Sequence, residues 1–281
     1  METIYYLEGR GQSHIYHFYV LLLGGLYYIF NNIKHDVPGS KRVKFHDRTK
    51  ITNLRPEISF PVNINFSRGE IHNLTDFQLD AVKLIDHKVN FVDLKNLDNF
   101  QIIEEYGETC RNGYSDNPKV IYPFLRDLFL TSPNIDLKYS KKRIFITRYG
   151  SEKNHQNVRK RCIINEKEFY DSLKPFNFEY IQLENYSEKE KIEMFYGSEI
   201  IISTHSSGLT YSLFANEETK IIEILNKGPR IGPPTGHYSF ICEHLKLKYY
   251  RYKNIKEDEQ GNVDINCKEF IKYLNNFLFN N

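Results

Sequence analysis

The sequence predicts an α/β protein built on parallel, doubly wound sheets, and three observations lead to this class. Strand-like and helix-like segments alternate along most of the chain. Residues 200–202 are an unbroken run of isoleucine, which is typical of a strand buried on both faces of a parallel sheet. The polar turn 204–208 follows this run, and apolar residues at helical spacing continue through 214. A strand, a tight turn and a helix in this order form the ligand-binding edge of such sheets.

The composition indicates a folded, globular chain. Hydrophobic residues make up 40% and charged residues 26% of its 281 residues, which suffice for one large domain or two of moderate size. The net charge is only +2, so nucleic acid is not an expected partner. The cysteines are scattered and form no CxxC pair, which disfavours a zinc or thioredoxin-like centre and favours free thiols in a reducing compartment. We therefore expect a cytoplasmic location, with a secretory lumen or membrane association as alternatives.

The first half of the chain predicts a βαβα arrangement. Its apolar segment 15–30 could be a signal anchor or a buried helix. The segment is short for a membrane span, contains Gly24-Gly25, and follows one arginine and two glutamates, so we favour a buried helix and expect no stable membrane span. The other predicted elements of this half are a strand at 3–7, a polar loop at 8–14, a strand at 42–46, a helix capped by Asn73 or Thr75, strands at 89–94 and 101–104, and a helix from Pro118 to 129.

The second half alternates more regularly. Capping boxes at 165–168 and at 187–190 predict the starts of two helices. A domain boundary near 131–139 divides the chain into residues 1–135 and 136–281. The other predicted elements are strands at 143–147, 178–183, 220–225 and 248–252, a basic loop at 148–161, a Gly- and Pro-rich loop at 226–236, and helices at 237–245 and 266–278.

The turn after the isoleucine run carries the most chemistry. It combines an imidazole, hydroxyl groups, a glycine and the free N–H groups of a helix start, which suit an anion such as a phosphate or diphosphate. The alternative is an ordinary βα connection whose hydroxyl groups only cap the helix. The candidate anion-binding residues are Thr204, His205, Ser206, Ser207, Gly208 and Leu209.

Three further charged residues fit the same ligand. Arg148 and Arg161 bracket the basic loop, and guanidinium groups at a strand's carboxyl end can bind phosphate bidentately; the alternative is a solvated loop. Glu223, in the next strand, could accept hydrogen bonds from ribose hydroxyls; the alternative is a strand-end carboxylate that faces water or a lysine.

The N-terminal histidines are candidates for acid–base chemistry. His14 and His17 are three residues apart and share one helical face if the helix has begun by His14. A histidine can serve as general base for a hydroxyl group, whereas the alternative is a histidine packed in the core or at the helix start. The chain contains no P-loop, dinucleotide fingerprint, HExxH or GxSxG motif, and no clear DxD, so we expect no metal site.

Taken together, residues 143–169 and 178–225 resemble glycosyltransferase family 61. The resemblance comprises Arg148 at the end of a strand, an arginine before an "NE" helix start at 161–166, and the run from Ser187 to Phe195. It continues with the turn from 201 to 210 and the "IIEI" strand at 221–224, and His17-Phe18 is similar to the family's "HF" helix. Two positions depart from the family: Ser206 replaces the first glycine of "HGAGL", and Leu21 stands where members often have an acid.

The resemblance implies a GT-B fold of two Rossmann-like domains facing a cleft, with 1–135 on the acceptor side and 136–281 binding a nucleotide sugar. It implies inverting, metal-independent transfer without a cofactor from a donor, expected to be a UDP-sugar, to a hydroxyl group of a glycan or protein. His17 is the first candidate for the base, followed by His14 and Asp80. The alternatives are a non-catalytic relative that binds a glycan or nucleotide, and a structural α/β protein.

Overall fold

The computed structural model describes two compact units, Met1–Asp136 and Leu137–Asn281, and each unit is described by itself. The predicted strand at 42–46 and the loop at 8–14 lie outside the described residues, as do most of the two predicted loops of the second half. The described residues are 2–7, 15, 17–31, 62–66, 75–91, 100–106, 110–111, 114–115, 117–149, 161–225 and 236–279.

The first unit contains a four-stranded parallel sheet in the order β3-β2-β1-β4. The sequence analysis missed β2, although its residues alternate between apolar and polar side chains. A short antiparallel pair, β5 and β6, follows the sheet. The strands are β1 Glu2–Leu7, β2 Val62–Phe66, β3 Val89–Phe91, β4 Phe100–Tyr106, β5 Cys110–Arg111 and β6 Tyr114–Ser115.

The predicted helix at 15–30 is divided, and this is a correction. A π-helical segment, His17–Leu22, precedes a turn at 23–24, and the α-helix α1 then covers Gly25–Phe30. Consecutive glycines weaken a continuous α-helix at this point because they lose the most backbone entropy on ordering. The burial was predicted correctly for Phe18 and Leu26, both 0% exposed. No helix among the described residues has the length and apolar character needed to cross a membrane.

Two further helices among the described residues of this unit begin where their capping signals predict. Helix α2, Asp76–Lys83, starts after Thr75, whose backbone N–H donates to the Gln78 side chain at 2.8 Å. Helix α3, Pro118–Leu130, has its proline in the first turn, where no N–H group is needed.

The second unit contains a five-stranded sheet in which every pairing is parallel, as predicted. Its order is β11-β10-β9-β7-β8, so the chain moves outward from β7 to β8 and then returns to β9 on the other side of β7. This reversal places a topological switch point between β7 and β9, where parallel α/β sheets bind their ligands. The strands are β7 Lys142–Ile146, β8 Phe178–Ile181, β9 Ser198–Thr204, β10 Lys220–Ile224 and β11 Lys248–Tyr252.

In the described part of the second unit, four α-helices and three 3₁₀-helical segments accompany this sheet. The residues after the polar turn form a 3₁₀ segment rather than the α-helical continuation that their spacing indicated. The α-helices are α4 Glu166–Leu173, α5 Glu188–Gly197, α6 Gly236–His244 and α7 Cys267–Phe279. The 3₁₀ segments are Lys174–Phe176, Leu183–Asn185 and Ser207–Phe214.

One of the two predicted capping boxes forms. Ser187 caps α5, with its Oγ accepting the Glu190 N–H at 3.3 Å and its own N–H donating to Oε2 of Glu190 at 2.8 Å. The box predicted at 165–168 is wrong, because the Asn165 side chain instead bonds the backbone of Ile265 in both directions, at 2.8 and 3.1 Å. Ile265 belongs to a hairpin that the sequence analysis missed, formed by β12 Ile255–Glu257 and β13 Val263–Ile265.

Candidate active site

The switch point brings three candidate residues together. Arg148 follows β7 and His205 follows β9, and these two strands pair directly. Arg161, at the far end of the basic loop, returns to the same edge, and its Nη1 donates to the backbone oxygen of His205 at 3.0 Å. The carboxyl edge of the sheet therefore carries two guanidinium groups and an imidazole within one neighbourhood.

The two arginines repel each other in this setting. Burial lowers the pKa of the partly buried Arg148 guanidinium, and the positive charge of Arg161 lowers it further. Arg161 also adopts a left-handed backbone conformation, with φ 52°, which is uncommon for a residue with a side chain. Two cations held close together at a switch point would be relieved by an anion between them.

His205 is fixed by a carboxylate. Its Nδ1 lies 2.5 Å from Oε1 of Glu223, and its ring centroid lies 5.0 Å from that of Tyr238. The imidazole side chain is 15% exposed. No other described residue donates to or accepts from its Nε2, which leaves that nitrogen for a ligand. The carboxylate therefore selects which ring nitrogen remains available.

A hydrogen-bonded chain supports this pair from the neighbouring strand. The Tyr249 hydroxyl donates to Oε2 of Glu223, and burial, then the charge of Glu223, raises the pKa of Tyr249 above its ordinary value. The Nε of Arg251 donates to the Tyr249 hydroxyl at 3.3 Å, and its Nη2 donates to Oγ of Ser239 at 2.9 Å. Glu223 is 2% exposed and both of its oxygens are occupied, so its ribose-binding role stays a prediction.

Sequence reasoning missed Tyr238, Tyr249 and Arg251. Only the alternation of β11 offered a signal, because Tyr249 and Arg251 are two residues apart and share one face of the sheet. Their relation to Glu223 depends on the pairing of β10 with β11, in which Arg251 lies opposite Glu223. The predicted Gly- and Pro-rich loop and helix α6 separate β10 from β11 along the chain, so the pairing of these two strands cannot be predicted from local sequence patterns.

The turn residues divide between the open edge and the core. Thr204 is buried, and its Oγ1 has no hydrogen-bond partner in the described part of the chain. Ser206 is 5% exposed, with its Oγ 3.4 Å from Oγ of Ser203, whereas Ser207 is exposed. A buried hydroxyl without a partner costs free energy unless a ligand completes its bonding, so Thr204 supports a site here.

Gly208 and Leu209 lie behind this edge. A Cβ atom built on Gly208 would lie 2.6 Å from Cδ1 of Leu183, so the glycine permits a close approach of the two segments. Leu209 is 0% exposed, and its backbone N–H donates to the oxygen of Ser206 at 3.0 Å. Their donor-binding roles stay predictions, and their visible contacts are with the protein.

The acceptor-side candidates belong to the first unit. His14 lies outside the described residues, and His17 lies in the π-helical segment with a side chain that is also outside them. Asp80 lies in α2 and forms an ion pair with Lys83 at 3.2 Å. Across the described ranges, no group of three or more His, Cys, Asp or Glu side chains could hold a metal ion.

The fold and these charges define an α/β protein with a candidate anion-binding edge on a parallel sheet. The family profile described as Glycosyltransferase 61 matches residues 71–222, which is more than half of the chain, and the chain belongs to this family. Membership indicates a glycosyltransferase, with a sugar donor and a glycan acceptor. The matched range includes Arg148, Arg161 and His205. No curated protein matches the chain significantly.

Proposed function

We propose that this chain is an inverting, metal-independent glycosyltransferase that uses a UDP-sugar and a hydroxyl acceptor on a glycan or protein. The observation that carries the proposal is the convergence of Arg148, Arg161 and His205 at the switch point of the second sheet. In this proposal Leu137–Asn281 binds the donor, and Met1–Asp136 supplies the acceptor side.

The paired arginines suit the leaving group. When the bond between the anomeric carbon and the β-phosphate oxygen breaks, negative charge develops on the diphosphate. Two guanidinium groups can neutralise this charge through bidentate, charge-assisted hydrogen bonds. Their positive charge replaces that of the divalent cation which other transferases use. The proposed mechanism therefore needs no metal and no cofactor.

His205 adds a third donor in this scheme. Glu223 accepts from Nδ1–H, so Nε2 faces the ligand and donates when the ring is protonated. The carboxylate balances the positive charge of that protonated ring. Glu223 and Tyr249 act through His205 as positioning residues.

The displacement requires a base for the acceptor. The acceptor hydroxyl transfers its proton to the base, its oxygen attacks the anomeric carbon opposite the diphosphate, and UDP departs with the bonding electron pair. This single displacement inverts the anomeric centre. We propose His17 as the base, with His14 and Asp80 as the alternatives if His17 does not fill the role.

A second candidate function is nucleotide or glycan binding without catalysis. Ser206 and Leu21 favour it, because they replace a family glycine and an acid. Either substitution could abolish transfer while leaving the arginine pair intact.

One experiment separates these functions. The purified chain is screened for thermal stabilisation by UDP, UDP-sugars and GDP-sugars, and for donor hydrolysis or transfer with and without excess EDTA. Stabilisation by a UDP-sugar together with EDTA-resistant turnover supports the transferase. Stabilisation without turnover supports the binding function, and turnover that requires manganese overturns the metal-independent mechanism. Absence of stabilisation by any of these nucleotides overturns the transferase and the nucleotide-binding function.

A further inference from the structure

Two exposed tyrosine side chains, Tyr149 and Tyr180, lie near each other at the end of β7 that leads to Arg148. In the described ranges, the large hydrophobic side chains that remain exposed are Tyr149 at 68%, Ile164 at 59% and Tyr180 at 39%. Tyr149 directly follows Arg148, and Tyr180 lies on β8, which pairs with β7. Single exposed apolar residues are ordinary, but a group of them at the edge of a site indicates a binding surface.

A carboxylate lies within this group. Glu166 begins α4 and is 9% exposed, and its Oε1 accepts from Oγ1 of Thr147 at 2.7 Å and from the Tyr180 hydroxyl at 2.6 Å. Burial and then this hydrogen bond raise the pKa of Tyr180 to about 12, so its hydroxyl remains a donor at neutral pH. No described residue donates to Oε2, and no described cation pairs with the carboxylate. Glu166 is therefore held in place with one oxygen available.

The same contacts position Tyr149. Its backbone N–H donates to Oγ1 of Thr147 at 2.8 Å, and that hydroxyl group in turn donates to Glu166. The backbone at Tyr149 is therefore tied to the carboxylate, while its ring stays exposed. An exposed ring on an anchored backbone can stack on a flat ligand at little entropic cost.

The charges along this edge distinguish the two ends of a nucleotide. Arg148 and Arg161 suit the diphosphate, whereas an unneutralised carboxylate such as Glu166 repels phosphate and attracts neutral hydroxyl donors. Ribose supplies such donors, and a nucleobase supplies a flat face for an aromatic ring. Glu223 is a poorer ribose partner because both of its oxygens are bonded to His205 and Tyr249.

We propose that the nucleoside of the donor lies on the β8 side of β7, with its ribose hydroxyls donating to Oε2 of Glu166 and its base stacked on Tyr149. This assignment rests on the proposed function, because it needs a nucleoside diphosphate at the arginine pair. It makes the Glu166 edge, rather than Glu223, the site at which the nucleoside is recognised.

The test compares three probes on the full chain by calorimetry: UDP, 2′,3′-dideoxy-UDP and inorganic pyrophosphate. Tyr149→Ala should weaken UDP binding about tenfold and leave pyrophosphate binding unchanged, because base stacking has this magnitude. Tyr149→Phe should retain the affinity of the parent. Tyr196→Ala, which removes a half-buried tyrosine from α5, is the matched control.

Glu166→Gln tests the ribose contact, and its amide oxygen keeps the bonds from Thr147 and Tyr180. The parent should bind UDP at least tenfold more tightly than the dideoxy analogue, and this ratio should fall toward one in the variant. Glu179→Gln, at an exposed carboxylate on β8 that pairs with Lys142, is the control.

The outcomes separate this assignment from the proposed function. Suppose that the parent binds UDP and that this affinity falls when the arginines are replaced. If Tyr149→Ala then leaves UDP affinity unchanged and Glu166→Gln leaves the ratio of UDP to dideoxy-UDP affinity unchanged, the nucleoside assignment is overturned while the proposed function stands. If UDP does not bind the parent, the proposed function and this assignment both fall.

Discussion

The Nδ1 atom of His205 lies 2.5 Å from Oε1 of Glu223, and this contact joins the carboxyl ends of two neighbouring strands. Glu223 is 2% exposed, so the contact lies where water screens little of the attraction. The pair leaves Nε2 of His205 as the ring nitrogen available to a ligand. Its orientation depends in turn on the hydroxyl group of Tyr249, which bonds the other oxygen of Glu223.

The first prediction concerns Tyr249→Phe, which removes one hydrogen bond from Glu223 while keeping the ring. We expect UDP affinity to fall about tenfold, because the carboxylate that orients His205 loses one of its two donors. Calorimetry with UDP measures the effect. Tyr250→Phe on the same strand is the control, and parental UDP affinity in Tyr249→Phe would remove Tyr249 from the site.

The second prediction concerns Arg161. Arg161→Ala should weaken UDP binding roughly ten- to a hundredfold, because a charge-assisted hydrogen bond contributes about 1.5–3 kcal/mol. Arg161→Lys should recover only part of this loss, because lysine lacks the planar fork. Arg143→Ala is the control, since Arg143 lies near the opposite end of β7 and pairs with Glu199. Parental UDP affinity in Arg161→Ala would assign Arg161 to a solvated loop.

The third prediction concerns packing behind the turn. A Cβ atom at Gly208 would lie 2.6 Å from Cδ1 of Leu183, so Gly208→Ala should lower the free energy of unfolding by about 1–3 kcal/mol. Gly208→Ala combined with Leu183→Ala should lose less than the sum of the single losses, because the truncated leucine makes room for the methyl group. Urea unfolding measures all three variants. If the losses in unfolding free energy are additive, the contact with Leu183 is not the reason that position 208 requires glycine.

The fourth prediction concerns the cap of α5. Ser187→Ala should lower the free energy of unfolding by about 1 kcal/mol, because the N–H of Glu190 loses its acceptor. The backbone N–H and then the hydroxyl of Ser187 lower the pKa of Glu190 below its ordinary 4.5. This stabilisation is therefore present above pH 4.5 and is lost as pH falls through the lowered value.

Glu190→Gln removes the carboxylate charge but keeps a side-chain oxygen that can accept the cap hydrogen bond. The variant should be less stable than the parent near neutral pH, and the difference should disappear in acid. Urea unfolding at a series of pH values tests this, with Glu193→Gln on the same helix as the control. A difference that persists at low pH would mean that the carboxylate charge contributes nothing to the cap.

The fifth prediction concerns His17. If it is the acceptor-side base, His17→Ala should lower turnover by about a hundredfold or more while UDP affinity stays near that of the parent. Timed transfer assays measure turnover, and calorimetry on the same preparation measures UDP affinity. His244→Ala on α6 is the control. A folded His17→Ala variant that keeps most of its transfer rate would assign the base elsewhere, and Asp80→Asn would be tested next.

Local patterns predicted the second unit well and the first unit less well. The isoleucines of β9 and the cap of α5 are strong signals, because burial on both faces and a reciprocal cap each require particular residues at short spacing. The continuous helix predicted at 15–30 is wrong at its glycine pair. Glycine is a weak helix former, so tertiary packing determines the backbone geometry at this point. The cap predicted at Asn165 failed because a distant strand offered its side chain better partners.

The chain's residues alone were enough to indicate the α/β class, the turn around His205, the arginines that bracket the basic loop and the family resemblance. Each of these depends on residues that are close in sequence or on an ordered series of short motifs. Only the tertiary structure decided that Glu223 serves His205, that Tyr249 and Arg251 support it, and that Glu166 keeps one oxygen open beside Tyr149. These relations depend on which strands lie side by side and in what register, and long-range packing of the sheet sets both.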